Sequence, residues 1–271
     1  MSTGSAEADR GPAPDARAAS DVGTRARKGA RTGRIFGVGL GPGDQDLMTV
    51  RADRLVRGAR HVAFFRKAGR PGQARRIVDG MLHPEAVEFA MEYPVTTEIP
   101  LSDPRYNEIL SAFYEDCAAH LRGLAAAGED VVVLCEGDPF FYGSFMHLYT
   151  RLCDDLEVTV LPAITGMSAA WTASGAPITW GDDVLSVLMG TLPEDDLVRH
   201  MEAADAIVVM KIGRNIDRVR TALRRSGKYD AAWLIEFASM PNQTVQRLAE
   251  AEGKVTPYFS IIVVHGQGRR P

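Results

Sequence analysis

Short, unbroken apolar runs alternate with amphipathic stretches along most of the chain. Val131–Cys135 is the clearest run: five apolar residues with no polar interruption. That is the pattern of a strand covered on both faces. Arg34–Val38, His61–Phe65, Val87–Phe89 and Val158–Leu161 predict further strands in the first half. Between them, Thr49 is placed to cap a helix carrying Ala52, Leu55, Val56 and Ala59 at helical spacing. Ser102 is placed to cap a long amphipathic helix with Tyr106, Ile109, Leu110, Phe113, Cys117, Leu121 and Leu124 on one face, and Gly128 ends it. Ser144–Leu152 predicts a further helix. Strands and helices in alternation imply a parallel sheet with right-handed crossovers.

Pro162 marks a hinge. Beyond it the pattern predicts helices at Gly166–Ser174, Glu194–Ala203 and Ile216–Ser226, with strands at Val184–Leu188, Ala206–Met210 and Trp233–Glu236. Thr244–Leu248 and Ser260–His265 follow as strands with no helix between them, so this sheet should turn mixed or antiparallel. The expected architecture is α/β in two domains, residues 34–161 with a mainly parallel sheet and 162–271 with a mixed one. Residues 1–33 are rich in Ala, Gly, Arg, Asp and Ser without apolar period and are expected to be a disordered tail. Acidic Glu7, Asp9, Asp15 and Asp21 argue against an organelle transit peptide there.

Composition excludes more than it identifies. Among 271 residues, 45% are hydrophobic and 24% charged, ordinary values for a soluble globular protein. A net charge of −4 gives no reason to expect nucleic acid or an anionic membrane as partner. No apolar run is long enough to span a bilayer. Cys117, Cys135 and Cys153 lack CxxC spacing and read as reduced thiols of a cytoplasmic protein. The six histidines are scattered without ligand spacing, so no bound metal is expected.

The candidate chemistry lies in turns. Gly137-Asp138-Pro139 follows Val131–Cys135 at the strand's carboxyl end, the edge where open α/β sheets bind ligands. Gly37-Val38-Gly39-Leu40-Gly41-Pro42-Gly43 invites a dinucleotide reading, but G-x-G-x-x-G fails in either register, meeting Pro42 or Asp44 at its third glycine. The acid that should hold a ribose is absent, because the second strand leads into Arg66 and Lys67. No G-K-[ST] follows either. The glycines therefore predict a close-approach turn of another kind.

Three motifs stand in order: Val38-Gly39-Leu40-Gly41-Pro42-Gly43-Asp44-x-x-Leu47-x-Thr49, Gly137-Asp138-Pro139-x-x-Tyr142-Gly143, and Pro162-Ala163-Ile164-Thr165-Gly166-Met167-Ser168-Ala169. Together they resemble the tetrapyrrole (corrin/porphyrin) methylases, across about residues 34–265. The segments Tyr93-Pro94-Val95-Thr96-Thr97, Cys135–Gly143 and Val209–Arg214 resemble the branch acting on precorrin-2 in cobalamin biosynthesis. The resemblance implies S-adenosylmethionine as methyl donor, a cleft between two α/β domains, and a homodimer. By motif it places Pro42 at the border of the trough. Gly137, Asp138 and Phe141 fall on the methionine and ribose portion, Thr165 and Gly166 at the domain junction, and Met210 and Ala238 against the adenosyl group. The third motif departs from the family's pattern, with Ala163 and Gly166 where glycine and serine are usual; a main-chain contact at Gly166 survives that change and a hydroxyl contact does not.

Methyl transfer from a sulfonium needs no protonated leaving group, so alignment of donor and acceptor does most of the work. The chain accordingly shows no Ser-His-Asp, Cys-His or paired-carboxylate arrangement. Tyr93 and Glu136 are the candidate acid–base groups for the methylated carbon. A polycarboxylate substrate calls for fixed cations, and Arg66, Lys211 and Arg214 at strand carboxyl ends are the candidates. Arg75 and Arg76 read as solvated helix charges. Within the family the alternatives are the cobalt-bearing ring as substrate or methylation at another corrin carbon, and a non-catalytic tetrapyrrole-binding protein on the same fold is a further reading.

Overall fold

In the computed structural model, which describes residues 31–95, 99 and 103–271, the apolar runs form the interiors of two five-stranded sheets. The first sheet contains β1 (Ile35–Gly39), β2 (His61–Lys67), β3 (Val87–Tyr93), β4 (Val131–Cys135) and β5 (Val158–Leu161), all parallel, in the order β3-β2-β4-β1-β5. Alternate residues of each strand point to opposite faces. On one face Ile35, Ala63, Val131 and Val133 meet α3 (Pro104–Ala126) and α4 (Phe145–Leu152) through Cys117, Leu121 and Phe145. On the other, Phe36, Val38, Val132 and Leu134 meet α1 (Val50–Gly58) and α2 (Gln73–Ile77) through Ala52, Val56 and Ile77. Each large side chain so buried contributes about 1.5–3 kcal/mol of transfer free energy.

The second sheet is mixed, as the missing helix near the end of the chain implied. Its order is β6-β7-β10-β8-β9, with β6 (Leu185–Met189) parallel to β7 (Ala206–Met210). The last strand, β10 (Ser260–Val264), inserts antiparallel between β7 and β8 (Ala232–Glu236), and β9 (Thr244–Arg247) pairs antiparallel with β8. Helices α6 (Glu194–Glu202) and α7 (Ile216–Arg225) cover one face. On the other, α5 (Gly166–Ala173) packs Ala170 and Trp171 against Ile235 and Val263.

Three details differ from the sequence reading. The second and third strands run longer than expected, because the β2–β3 ladder continues in register to Lys67↔Tyr93. Arg66 and Lys67 are therefore strand residues rather than the residues that follow the strand. The long helix is capped by Asp103, whose carboxylate accepts the Arg105 N–H, with Pro104 at the first turn. Ser102, Thr96, Thr97 and the expected tail, up to residue 30, lie outside the described residues. Thr49 caps α1 as predicted, accepting from the Ala52 N–H.

Gly37 shows how closely β1, lying between β4 and β5, packs against the helix over it. A Cβ there would fall 2.3 Å from Cζ of Phe145, so the ring of α4 lies directly on the backbone of β1. Gly37→Ala is expected to lower stability by about 1–3 kcal/mol through overpacking, read as an earlier urea midpoint at unchanged slope. An unchanged midpoint would show that Phe145 moves aside freely.

Candidate functional site

Because every strand of the first sheet runs the same way, all five carboxyl ends share one edge. The three motifs leave β1, β4 and β5, which are adjacent strands with β1 in the centre. Leu40 donates its N–H to the Cys135 carbonyl at 2.9 Å, and Gly137 donates to the Gly41 carbonyl at 2.8 Å. Gly39 explains the glycine cluster. A Cβ on it would lie 2.6 Å from Cβ of Ala163 and 2.9 Å from both the Gly137 carbonyl oxygen and Cδ of Pro139. The residue touches the second and third motifs at once, and only glycine leaves room for both.

Asp138 ties the same loops together. One carboxylate oxygen accepts the Phe140 N–H at 2.9 Å and the other the Ala163 N–H at 3.0 Å. The second motif is thus braced to the third across 25 residues of chain. Gly137 has φ 64°, in the left-handed region that favours glycine, and a Cβ there would meet only the Gly166 nitrogen, at 4.0 Å. Main chain lines the gap between these turns. Thr165 caps α5 by accepting the Ser168 N–H, which leaves Gly166 as its first helical residue. Pro42 is buried at the base of this edge, and Phe141 is half-buried.

The second sheet presents a matching edge. Since β10 is antiparallel to both β7 and β8, those two strands run the same way. Met210-Lys211 and Glu236-Phe237-Ala238 therefore end on one side, where Tyr258 and Phe259 also lead into β10. Contacts join the edges: Asp44 N–H to Ser239 Oγ at 3.4 Å, and Gln73 Nε2 to Met240 Sδ at 3.5 Å. The turns leaving these joined edges carry Gly137, Thr165 and Gly166 on one side and Met210 and Ala238 on the other, and the space between them is the candidate crevice. Main-chain turns from one sheet and half-buried apolar side chains from the other make its walls.

Backbone strain concentrates here. Among the described residues, non-glycine positive φ occurs at Tyr142 (55°), Lys211 (52°), Phe237 (53°) and Ser239 (63°), all in turns leaving these two edges. Such conformations cost roughly 1–3 kcal/mol each and persist where surrounding structure enforces them.

The two acid–base candidates have different characters. Tyr93 ends β3, stacks on Phe65 at 5.4 Å and shares a hydrogen bond with Ser144 Oγ. Ser144 precedes α4 yet makes no cap bond, its hydroxyl being engaged with Tyr93. Burial, then the neighbouring Tyr114, pushes the Tyr93 phenol far above its ordinary range, so it acts only as a neutral hydrogen-bonding group. Glu136 opens to solvent at the crevice yet is hemmed in by protein, and desolvation pushes its carboxyl up to about 7. Tyr258 faces it from the other lobe: 72% exposed, its phenol is raised first by desolvation and next by Glu136 and Tyr106. Sequence reasoning missed both Ser144 and Tyr258. A serine before an apolar helix reads as a cap, and Tyr258 lies in a stretch without period.

The cations separate too. Arg66 is engaged by Glu92, with Nε 2.8 Å from Oε1, and Arg75 by Glu88 at 2.6 Å. Lys211 and Arg214 are exposed and have no carboxylate partner among the described residues. The Lys211 Nζ instead lies 5.7 Å from the ring centroid of Tyr142, across the crevice. Among the described residues no cluster of three His, Cys, Asp or Glu is arranged to hold a metal, and no helix is long and apolar enough to cross a membrane.

Comparison with known proteins identifies relatives in sequence and fold. The profile of the family Tetrapyrrole (Corrin/Porphyrin) Methylases matches residues 34–252. The chain is 46% identical over 243 residues to the precorrin-2 C(20)-methyltransferase of Sinorhizobium sp., covering 90% of this chain and 99% of that protein. It is 42% identical to the cobalamin biosynthesis protein CobIJ of Mycobacterium bovis, covering 88% of this chain and 47% of that longer protein. Among solved structures, uroporphyrin-III C-methyltransferase from Thermus thermophilus, in complex with S-adenosylhomocysteine, superposes with a TM-score of 0.61 at 24% identity. That match covers 86% of this chain and 92% of the other.

Asp138→Asn replaces one of two acceptors with a donor facing an N–H. Hydrogen exchange at Ala163 should accelerate, with a stability loss of about 1–3 kcal/mol. Unchanged exchange at Ala163 would remove the brace from the account.

Proposed function

The chain belongs to the tetrapyrrole (corrin/porphyrin) methylase family, and on that premise we propose that it transfers a methyl group from S-adenosylmethionine to C20 of precorrin-2, giving precorrin-3A. The observation that carries this reading is the convergence of three motifs on one sheet edge opposite Met210 and Ala238. Such a crevice suits the donor. Main-chain groups of Gly137, Thr165 and Gly166 offer hydrogen bonds to its polar portion, and Met210 and Ala238 offer an apolar wall to its adenosyl portion. Phe141 and Pro42 close the N-terminal side, and Asp138 holds the turns in place. When bound, S-adenosylmethionine supplies a methyl on a sulfonium whose departing thioether requires no proton.

The residues of this chain have three tasks. The turns hold the methyl in line with the acceptor carbon, where alignment removes much of the entropic barrier. Lys211 and Arg214, without a carboxylate partner among the described residues, attract the acidic side chains of the macrocycle; Arg66, already held by Glu92, extends the same basic rim. As the new C–C bond forms, C20 gives up its proton, and the Glu136 carboxylate accepts it. Its carboxyl near 7 suits a general base at neutral pH. Tyr93, kept neutral and paired with Ser144, donates a hydrogen bond toward the ring. The enzyme acts in the cytoplasm as a homodimer on this reading.

The test is mass spectrometry of products from precorrin-2, with and without cobalt in the ring, plus isotopically labelled S-adenosylmethionine. A single labelled methyl at C20 is expected. Absence of labelled product from either ring would overturn the assignment, and product from the cobalt ring alone would move it to the metallated substrate.

Glu136 gives a second prediction. The log of kcat/KM should fall as pH drops below about 7, and Glu136→Gln should lower kcat by about 100-fold or more and abolish that limb. Stability should move oppositely. The native state holds a proton that the unfolded chain releases near 4.5, so this contribution is full below that pH and lost as pH rises through about 7. The glutamine variant should flatten this dependence, and an unaltered rate profile would exclude Glu136 as base.

A further inference from the structure

Lys211 and Tyr142 come from opposite lobes, and neither conformation is one an ordinary side chain prefers. Lys211 follows β7 at φ 52°, and Tyr142 ends the Gly137–Tyr142 turn at φ 55°. The two meet across the crevice, with the ammonium 5.7 Å from the ring centroid. That separation is within cation–π reach. Yet both remain accessible: Tyr142 is 44% exposed, and Lys211 is exposed with no carboxylate partner among the described residues. Phe141 braces the tyrosine edge-on at 4.9 Å. On the N-terminal lobe, His147 registers the same charge. Its imidazole is held below its ordinary value by desolvation first, then by Arg151 and Lys211. The ammonium of the C-terminal lobe thus reaches the start of α4.

A structural strut between lobes would be better served by an acid opposite the lysine. An unpaired cation against an aromatic face leaves room for an anion and a flat π-system together. We propose that Tyr142 and Lys211 form one composite subsite for the macrocycle, in which the ring of Tyr142 packs on its conjugated face and Lys211 takes one peripheral carboxylate. This rests on the tetrapyrrole substrate class of the proposed function and adds that the substrate is held by both lobes at once. Tyr142 becomes a specificity residue.

The experiment uses the full chain and a stable polycarboxylate porphyrin, uroporphyrin, as probe, with binding followed by fluorescence titration. Lys211→Gln should weaken porphyrin affinity about tenfold or more, the loss expected for a charge-assisted contact, and should flatten the dependence of affinity on salt. Tyr142→Phe should bind as the wild type does, while Tyr142→Gly should weaken binding comparably to Lys211→Gln. Lys211→Gly separates site from strut, because glycine relaxes the φ 52° backbone. Its thermal midpoint should hold or rise while porphyrin affinity falls, and S-adenosylhomocysteine affinity by calorimetry should stay unchanged. Lost porphyrin affinity in both Lys211→Gln and Tyr142→Gly upholds the composite subsite whatever product analysis says of precorrin-2, and a loss in Lys211→Gln alone overturns it. Unchanged porphyrin affinity in Lys211→Gln and Tyr142→Gly overturns it even where precorrin-2 is turned over.

Discussion

The close approach of three turns around Gly39 is the constraint on which the rest depends. A methyl at that position would strike Ala163, Pro139 and the Gly137 carbonyl together. Its absence lets the loops leaving β1, β4 and β5 nest into a single ledge. Asp138 then locks the ledge with two charge-assisted hydrogen bonds to main-chain N–H groups. A rigid ledge of peptide groups is what an alignment-driven displacement requires, since misplacement of the reacting atoms is costly.

The second sheet supplies what the ledge lacks. Its last strand inserts antiparallel between β7 and β8, which brings Met210, Lys211 and Ala238 to one side although they belong to separate strands. Apolar surface from this side faces main chain from the other. The cluster of left-handed residues at Tyr142, Lys211, Phe237 and Ser239 marks where the two surfaces have been shaped against local preference. Desolvation raises the Glu136 carboxyl to about 7, while burial and then the neighbouring Tyr114 hold Tyr93 neutral.

Much of the fold was legible because its signals are local. Val131–Cys135, Val158–Leu161 and Ala206–Met210 declare buried strands by unbroken apolar runs, and each forms over the residues expected. The mixed character of the second sheet followed from the missing helix before β10. Failures occurred where pairing or a competing partner decides. Ladder register extends β2 to Lys67, which no property of Arg66 and Lys67 announces. The helix after residue 103 takes Asp103 as cap, with the following proline fixing its first turn. At the site, the glycine and Asp138 turns were legible as motifs, and the close approach at the glycines with them, but the partners that meet there were not. Gly39 reads as part of a close-approach turn and is the space in which three loops pack, and Asp138, read as a cofactor contact, also braces two loops. Tyr258 and Ser144 escaped because their roles arise from partners distant in sequence. The split among the arginines and lysines escaped for the same reason, since Glu92 neutralises Arg66 while no carboxylate among the described residues pairs with Lys211.

The most direct test of the central claim is amide hydrogen exchange of the whole chain with and without S-adenosylhomocysteine. The account predicts slowed exchange concentrated at Gly137–Phe141 and Thr165–Ser168 on one edge and at Met210–Ile212 and Phe237–Ser239 on the other. Protection confined to one lobe, or centred away from these turns, would contradict a donor held between the two sheet edges.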